Sequence, residues 1–421
     1  MTDPVEALRA EARQSPSVPR GPGSKVVPLR TLIREHVQPG MTLHLGVTHQ
    51  LPQAQTAELI RAFAGSDPGF TLVAAGVAGF AIAAIHLGLV RKVITSYAGD
   101  IYPSPAPNKV VQRVYADGSV IFEHWSLLSL FQRLAAGALG VPAMPTRSLA
   151  GSTMAEDNAH AFHAIDDPFG NGEPLGLVAP LRPDLTLLHV AAADAEGNCL
   201  LTPPLSEAPL AAMAARRGIL VTAERIVERD VIRDHAGLAR LPGRHVRAVA
   251  LAPFDGHPGG LCAAGLPWLE PHAEDPPFLV DFRRSCRSAA DLDAWIARWV
   301  VEPGDHDGYL ARLGDERLAD LRERGGADSW EAELSALGTG LDLDAATTDT
   351  ERMVLAAADV LCERILAAGH QTILAGQGLS NLAAWIAERR LRRGGTAVEL
   401  AADIGMLGYT PRPANPFLFN F

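Results

Sequence analysis

The sequence predicts an α/β protein on an open, parallel sheet, with one full unit followed by the start of a second, homologous one. Three observations carry this prediction. Short apolar runs that end on glycine alternate with helical segments along most of the chain, the pattern of strand–helix crossovers. The order helix, strand, helix, strand over Leu29–Phe63 and the following TLVAAG returns over Met353–Arg390 and TAVELAA, which reads as an internal repeat. Finally, 421 residues with 48% hydrophobic and 20% charged side chains form an ordinary globular composition with room for two or three domains.

Residues 1–24, rich in Pro, Arg, Glu and Ala, hold no apolar stretch of the kind a signal peptide needs and are expected to be a disordered leader. From Leu29 an amphipathic helix runs to Pro39-Gly40, which stop it; the strand MTLHLG ends at Gly46, and a loop leads into a second helix. Phe70–Val90 is 21 residues without a formal charge, long enough to span a bilayer. Gly76, Gly79 and Gly88 break it into a strand, a turn and a short buried helix, so no membrane span is expected. VRKVITSYAG (Val90–Gly99) reads as helix end, strand and loop, GSVIFEHW as a strand, and LLSLFQRLAAGALG as a helix closing at Gly140. Pro183–Cys199 reads as a buried strand running into a turn, RRGILVTAERIV as strand and loop, and HVRAVALAPFDGHPGG as a strand ending in a Gly/Pro loop.

The first unit therefore spans residues 25–288. Residues 289–350, rich in Asp, Glu and Arg, are expected to form a helical linker with a solvated charged face. The second unit, 351–421, opens with a helix ending at Gly369, the strand QTILAG, a Gly-x-Gly turn, a helix and a further strand, so that Gly369 and Gly376 answer Gly40 and Gly46. It is much shorter than the first, and its sheet edge and apolar closing run are expected to be completed by something else.

Charge and cysteines narrow the function classes. The formal net charge is −11 with the basic residues scattered, which argues against a nucleic-acid surface. Cys199, Cys262, Cys286 and Cys362 form no CxxC pair, as suits free thiols in a reducing cytoplasm, and no histidine stands at zinc-ligand spacing beside them.

Five segments in order, PGMTLHLG (Pro39–Gly46), VITSYAG (Val93–Gly99), PTRSLAGS (Pro145–Ser152), the D-x-x-G-N motif Asp194–Asn198 and VTAERIV (Val221–Val227), resemble the A subunit of class I CoA-transferases of the glutaconate/3-oxoacid type. GQGLSNLAA (Gly376–Ala384) and ADIGMLGYTP (Ala402–Pro411) resemble the opening of a B subunit. The resemblance implies an open parallel-sheet CoA-transferase fold and an enzyme that passes CoA between carboxylic acids. It further implies coenzyme A as part of an acyl-CoA substrate, no metal, and a second polypeptide completing the B-like unit in a heterotetramer or larger assembly. In that family a glutamate in a Glu-x-Gly segment attacks the thioester and forms an acyl-enzyme anhydride; here the position reads Asp403-Ile404-Gly405. Two other readings stay open: a CoA-thioester or ring-opening C–C hydrolase on the same fold, and a non-catalytic subunit that scaffolds a partner chain.

Each candidate residue carries a plain reading beside the chemical one. Asp403 can be a carboxylate nucleophile, a turn residue before Gly405, or a group in another catalytic role. Gly376, Gln377 and Gly378 form a tight turn whose amides could meet the acyl or CoA moiety, with Gly46 as a weaker counterpart because Val47 follows it. Glu123, in VIFEHWS, reads as a strand-end carboxylate; the hydrolase alternative would need it raised in pKa as an acid or base. Asp194, Gly197 and Asn198 read as a structural turn. Ser96, Tyr97, Arg147 and Ser148 fall at strand ends, where open sheets place ligands, and His257 reads as a loop histidine.

Overall fold

In a computed structural model, residues 23–46, 51–100, 107–168, 170, 174–202, 205–325, 345–375 and 379–402 are described. The first half builds outward by crossovers: α1 (Leu29–His36), β1 (Thr42–Leu45), α2 (Gln53–Phe63), β2 (Phe70–Val77), α3 (Phe80–His86), β3 (Val90–Ala98), α4 (Lys109–Ala116) and β4 (Ile121–His124). Leu32 and Ile33 on α1 are buried while its charged face is exposed, so the amphipathic pattern does set its orientation. The apolar run from Phe70 is strand, turn and short helix, with Phe80 to Ile85 of α3 all buried. Among the described residues no helix is long and apolar enough to cross a membrane.

After α5 (Leu127–Leu139) the chain makes a separate antiparallel layer that the sequence did not suggest. β5 (Met144–Thr146), α6 (Thr153–Asp157), β6 (Phe162–Asp166) and β7 (Pro174–Val178) follow, and the strands form a three-stranded sheet in the order β5-β7-β6. Phe162 and Val178 from this layer pack with Trp125, Leu130 and Leu134 against Val73 and Ile94 of the main sheet. The chain then returns through β8 (Leu185–Ala193), β9 (Cys199–Leu200), α7 (Ala208–Ala214), β10 (Ile219–Ile226), α8 (Arg229–Asp234) and β11 (Val246–Leu251). The main sheet has eight strands: its path is β11-β10-β8-β1-β2-β3-β4, parallel throughout, with β9 antiparallel to β8. β8 is buried at all nine positions, as a strand covered on both faces must be.

Helices α9 (Pro276–Ser285), α10 (Ala289–Ile296), α11 (His306–Leu313) and α12 (Asp315–Arg324) follow, with a π-helical stretch Ala297–Val301 after α10. The expectation of a mere linker is revised over 289–324. Trp295, Trp299, Tyr309 and Leu321 belong to the same apolar cluster as Leu43 and Phe80. The Trp295 ring lies 5.5 Å from Phe80, 5.5 Å from Phe278 and 4.8 Å from Phe282. The reason is composition within the charge: the aromatic and leucine positions recur at helical spacing and turn one face inward, leaving the charges outside.

α13 (Asp349–Ala368) starts on a capping box between Thr348 and Glu351 and ends at Gly369 in the left-handed region, φ 65°. β12 (Thr372–Ala375), α14 (Leu379–Arg393) and β13 (Glu399–Ala402) complete a helix–strand–helix–strand unit. β12 and β13 pair in parallel, Thr372 opposite Glu399, in a two-stranded sheet of their own. Val354, Ala358, Ile365, Ile373, Ala387 and Leu391 make a core separate from the first.

Candidate active site at the strand-order reversal

The order of the main sheet reverses between β1 and β8: successive strands spread one way through β2, β3 and β4, and the other through β10 and β11. Open α/β sheets take ligands outside the carboxyl ends of the strands at such a point. β1 ends there at Leu45, opposite Leu187, and Gly46 donates its N–H to the Leu187 carbonyl at 2.9 Å. A Cβ at Gly46 would stand 2.8 Å from Leu188 Cδ1 and 3.3 Å from the Leu187 oxygen, so any larger residue must displace the Leu188 side chain where β1 leaves the sheet. Its amide is already spent on the neighbouring strand, which weighs against the expectation that Gly46 contacts CoA.

A buried polar network lies beside Gly46 at the start of α2. Gln55 donates from Nε2 to the Leu188 carbonyl and to Thr222 Oγ1, both at 3.0 Å. Thr222 Oγ1 donates to Asp255 Oδ2, and Asp255 Oδ1 accepts the Ala54 N–H at 2.7 Å. His189 faces Thr222 Oγ1 through Nδ1 at 3.2 Å and Glu224 Oε1 through Nε2 at 2.9 Å. Glu224 also accepts the Phe254 N–H at 2.9 Å and has His272 Nε2 at 3.7 Å. Burial alone would lower the His189 imidazole, but the hydrogen bond to Glu224 and the charges of Asp255 and Glu224 outweigh it and raise it. Burial would raise Glu224, yet His189 and His272 hold it well below the usual carboxylate range. Burial does raise Asp255, offset only in part by His189 and Thr222.

Behind this network, His257 is fully buried, with Nδ1 2.6 Å from the Tyr309 hydroxyl and Nε2 2.9 Å from Asp275 Oδ2. Arg317 donates to both oxygens of Asp275, at 2.6 and 2.7 Å. Burial keeps His257 below its usual range in spite of Asp275. These contacts fasten the loop after β11 to α11 and α12, so His257 is a structural loop histidine.

Glu123 is far from that crevice in the sheet, on the outer strand β4. Its Oε1 accepts from Trp125 Nε1 and Arg133 Nη1, both at 2.7 Å, and Oε2 meets Lys92 Nζ at 2.6 Å and His160 Nε2 at 3.4 Å. Burial would raise the carboxyl, but hydrogen bonds from Lys92 and Trp125 and the charges of Arg133 and Lys92 bring it down from 4.5 to about 2. The raised acid or base that the hydrolase reading needed is the reverse of what the surroundings produce. A carboxylate held by this many donors is an anchor for β3, β4 and α5.

Asp403, Gly405, Gly376, Gln377 and Gly378 lie outside the described residues. Asp194 accepts the N–H groups of Glu196 and Asn198, each at 2.9 Å, and Asn198 Nδ2 at 2.7 Å, with Gly197 at φ 86°, so this turn is built as the sequence suggested. Ser148 bonds Ser126 across 2.6 Å, the Tyr97 hydroxyl reaches the Asp100 carbonyl at 2.6 Å, and the buried Ser96 Oγ has no hydrogen-bond partner among the described residues. Among those residues no group of three or more His, Cys, Asp and Glu could hold a metal ion. Gln55, His189, Thr222, Glu224 and Asp255 were missed as a group. One signal was available: Thr222 and Glu224, two apart in a strand that is buried from Ile219 to Glu224, must share a face and find partners there.

The doubly spread parallel sheet, with a buried polar network at its reversal, is an open α/β fold of the kind that takes ligands outside the carboxyl ends of its strands. The pattern of the coenzyme A transferase family matches residues 28–252, more than half the chain, and the chain belongs to that family. It is 27% identical over 315 residues to the A subunit of glutaconate CoA-transferase from Acidaminococcus fermentans, covering 71% of this chain and 95% of the relative. It is 29% identical over 295 residues to the A subunit of 3-oxoadipate CoA-transferase from Pseudomonas knackmussii, covering 69% and 99%. The crystal structure of the Acidaminococcus fermentans enzyme superposes with a TM-score of 0.62 at 27% identity, over 71% of this chain and 95% of that one. A variant of the decarboxylase AibA/AibB shares the fold, with a TM-score of 0.53 at 24% identity over 65% of this chain and 98% of that one. The protein is thus a transferase of the CoA-transferase class, moving CoA between acids with a CoA thioester as substrate.

Proposed function

We propose that CoA transfer proceeds through an acyl-enzyme anhydride on Asp403, with a B-type partner chain completing the site. The observation that carries this reading is the second unit itself: β12, α14 and β13 repeat the parallel strand–helix–strand of β1, α2 and β2, and Asp403 is the next residue in sequence after Ala402, the last of β13. A residue just past a strand's carboxyl end is where this architecture puts chemistry. The Asp403 carboxylate attacks the thioester carbonyl, expelling CoA thiolate and leaving a mixed anhydride. The thiolate then attacks the aspartyl carbonyl, releasing the first acid and forming an aspartyl-CoA thioester. The second acid's carboxylate displaces CoA to give a new anhydride, and the thiolate attacks its acyl carbon, freeing Asp403. Backbone N–H groups of Gly376–Gly378 suit the oxyanions of these steps. An aspartate is one methylene short of glutamate, about 1.5 Å, so its loop must advance by that much for the geometry to serve.

The partner is supported by the relatives, each of which is named as the A subunit of its enzyme. It is supported too by large apolar side chains exposed on the second unit, Leu366 at 60% and Leu374 at 61% among them. A heterotetramer or larger assembly is the arrangement we favour. The test is mass spectrometry of the chain co-expressed with its partner, incubated with a panel of acyl-CoAs and then borohydride, which reduces the aspartyl-CoA thioester to an alcohol. The reading expects a modified peptide containing Asp403 that vanishes in Asp403→Ala. Free CoA released without any acceptor acid, and no modified peptide, would overturn it.

A further inference from the structure

We infer that Asp255 is a resident carboxylate standing where a ligand anion would sit at the N-terminus of α2, and that it thereby positions the floor of the crevice between β1 and β8. Helix α2 has 11 residues and starts just past the carboxyl end of β1. In many nucleotide-binding sheets such a helix start receives a phosphate or carboxylate, because its first amides are unpaired and its dipole is positive there. Here the acceptor comes from the chain itself. Asp255, 1% exposed, arrives in the loop after β11 and takes the Ala54 N–H on one oxygen and the Thr222 hydroxyl on the other.

With Asp255 ionised, the donors around it are fixed. A backbone carbonyl can only accept, so the Leu188 oxygen fixes Gln55 with its NH2 toward β8 and Thr222. Thr222 accepts from Gln55 and gives its single proton to Asp255. His189 Nδ1 therefore meets a hydroxyl whose proton is already committed, and it must donate. Its Nε2 meets Glu224, which is ionised and also accepts the Phe254 N–H, so that nitrogen donates as well. The result is an imidazolium between two carboxylates, a cation that offsets the buried charge of Asp255.

The consequence reaches beyond one helix end. Gln53, in the same first turn of α2, accepts the Phe80 N–H on its Oε1 at 3.1 Å, and its amide lies 2.8 Å from where a Cβ of Gly79 would be. Asp255 thus locks β8, β10 and the loop after β11 to the start of α2, and through Gln53 to the turn that ends β2. With both oxygens of this buried carboxylate used, the Ala54 amide is not offered to a substrate carboxylate. The effect of this lock on acyl-CoA turnover rests on the CoA-transfer reading above.

The experiment uses the chain with its partner and compares wild type, Asp255→Ala and Asp255→Asn. It reads kcat and KM for acyl-CoA, thermal melting, and amide exchange over residues 51–56, the last two with and without sodium formate. For Asp255→Ala we expect faster exchange at those amides, a lower Tm, and a KM raised about 10-fold with kcat changed far less. Formate should restore exchange and melting in this variant and leave both unchanged in wild type; its effect on turnover is not compared, because a carboxylate can itself act as acceptor acid. Asp255→Asn keeps an acceptor for Ala54 and should lie between the two; it decides the matter if Asp255→Ala does not fold. Unchanged exchange at residues 51–56, or no formate-specific recovery, overturns the resident anion. Recovery of Tm with KM never altered overturns the positioning role. Exchange and melting do not depend on turnover, so failure of the transfer reading, seen as an inactive wild type, is told apart from failure of this one.

Discussion

The two openings of the chain's units repeat one local plan and meet different surroundings. In the first, β1 is flanked by β2 and β8, and α2 begins against Asp255. In the second, β12 pairs only with β13 among the described residues, and Leu366, Leu374 and Leu379 stand exposed. Helix, strand and parallel register are therefore local outcomes of apolar spacing and glycine stops, whereas burial is supplied by segments distant in sequence. Asp255 and Ala54, bonded to each other, are 201 residues apart.

That difference can be broken first at the buried network, which has no counterpart among the described residues of the second unit. Glu224→Ala removes the partner of a buried imidazolium and should cost about 3–5 kcal/mol of stability. Hydrogen exchange should show the loss in β8, β10 and α2 while protection in α13 and α14 stays as it was. Equal loss in both units would mean that they do not have independent cores.

The sheet edges come next. β4, at one end of the first sheet, is tied down by Lys92, Glu123 and Arg133, and no such ion cluster secures β12 or β13 among the described residues. Because Glu123 is depressed from 4.5 to about 2 on folding, its contribution is full above pH 4.5 and fades as pH falls toward about 2. A shift of that size corresponds to on the order of 3 kcal/mol, and solvent screening at the Lys92 side brings the expected effect to about 2 kcal/mol. Acid titration of stability should show this limb in wild type and lack it in Glu123→Gln.

A smaller effect separates close packing from conformation. Gly46→Ala forces a methyl against Leu188 and should cost about 1–3 kcal/mol, read from the urea midpoint. Smallest, and a test of likeness instead of difference, is the pair Gly40→Ala and Gly369→Ala. Both glycines have positive φ, 79° and 65°, and open space around the missing Cβ. Each change should cost about 1 kcal/mol, and unequal costs would show that the two turns are not equivalent.

Much of the fold could be read because the central strands announce themselves. β8 is buried at every position and therefore apolar throughout most of its length, and β1 and β2 are bracketed by Gly40, Gly46 and Gly79. The antiparallel layer escaped because Met144–Thr146 and Pro174–Val178 carry proline and too few residues for any period to show; they become strands only by pairing with each other and with Phe162–Asp166. The crevice network was hidden for a related reason. Gln55, His189, Thr222 and Asp255 sit in four separate segments, and nothing at any one of them says that the others will arrive. Glu123 was visible as a residue, but the sign of its shift was not, since Lys92 and Arg133 reach it from a neighbouring strand and a helix.

The aromatic packing of α10 and α11 also decides where the chain can be divided. A polypeptide ending at Arg287 would bare Phe80, Phe278 and Phe282 by removing the indole of Trp295, and would strand His257 without the Tyr309 hydroxyl. One ending at Gly325 keeps these contacts, together with the Arg317 clamp on Asp275. For splitting, tagging or grafting this protein, the natural seam of the first body follows α12 and not the end of its sheet.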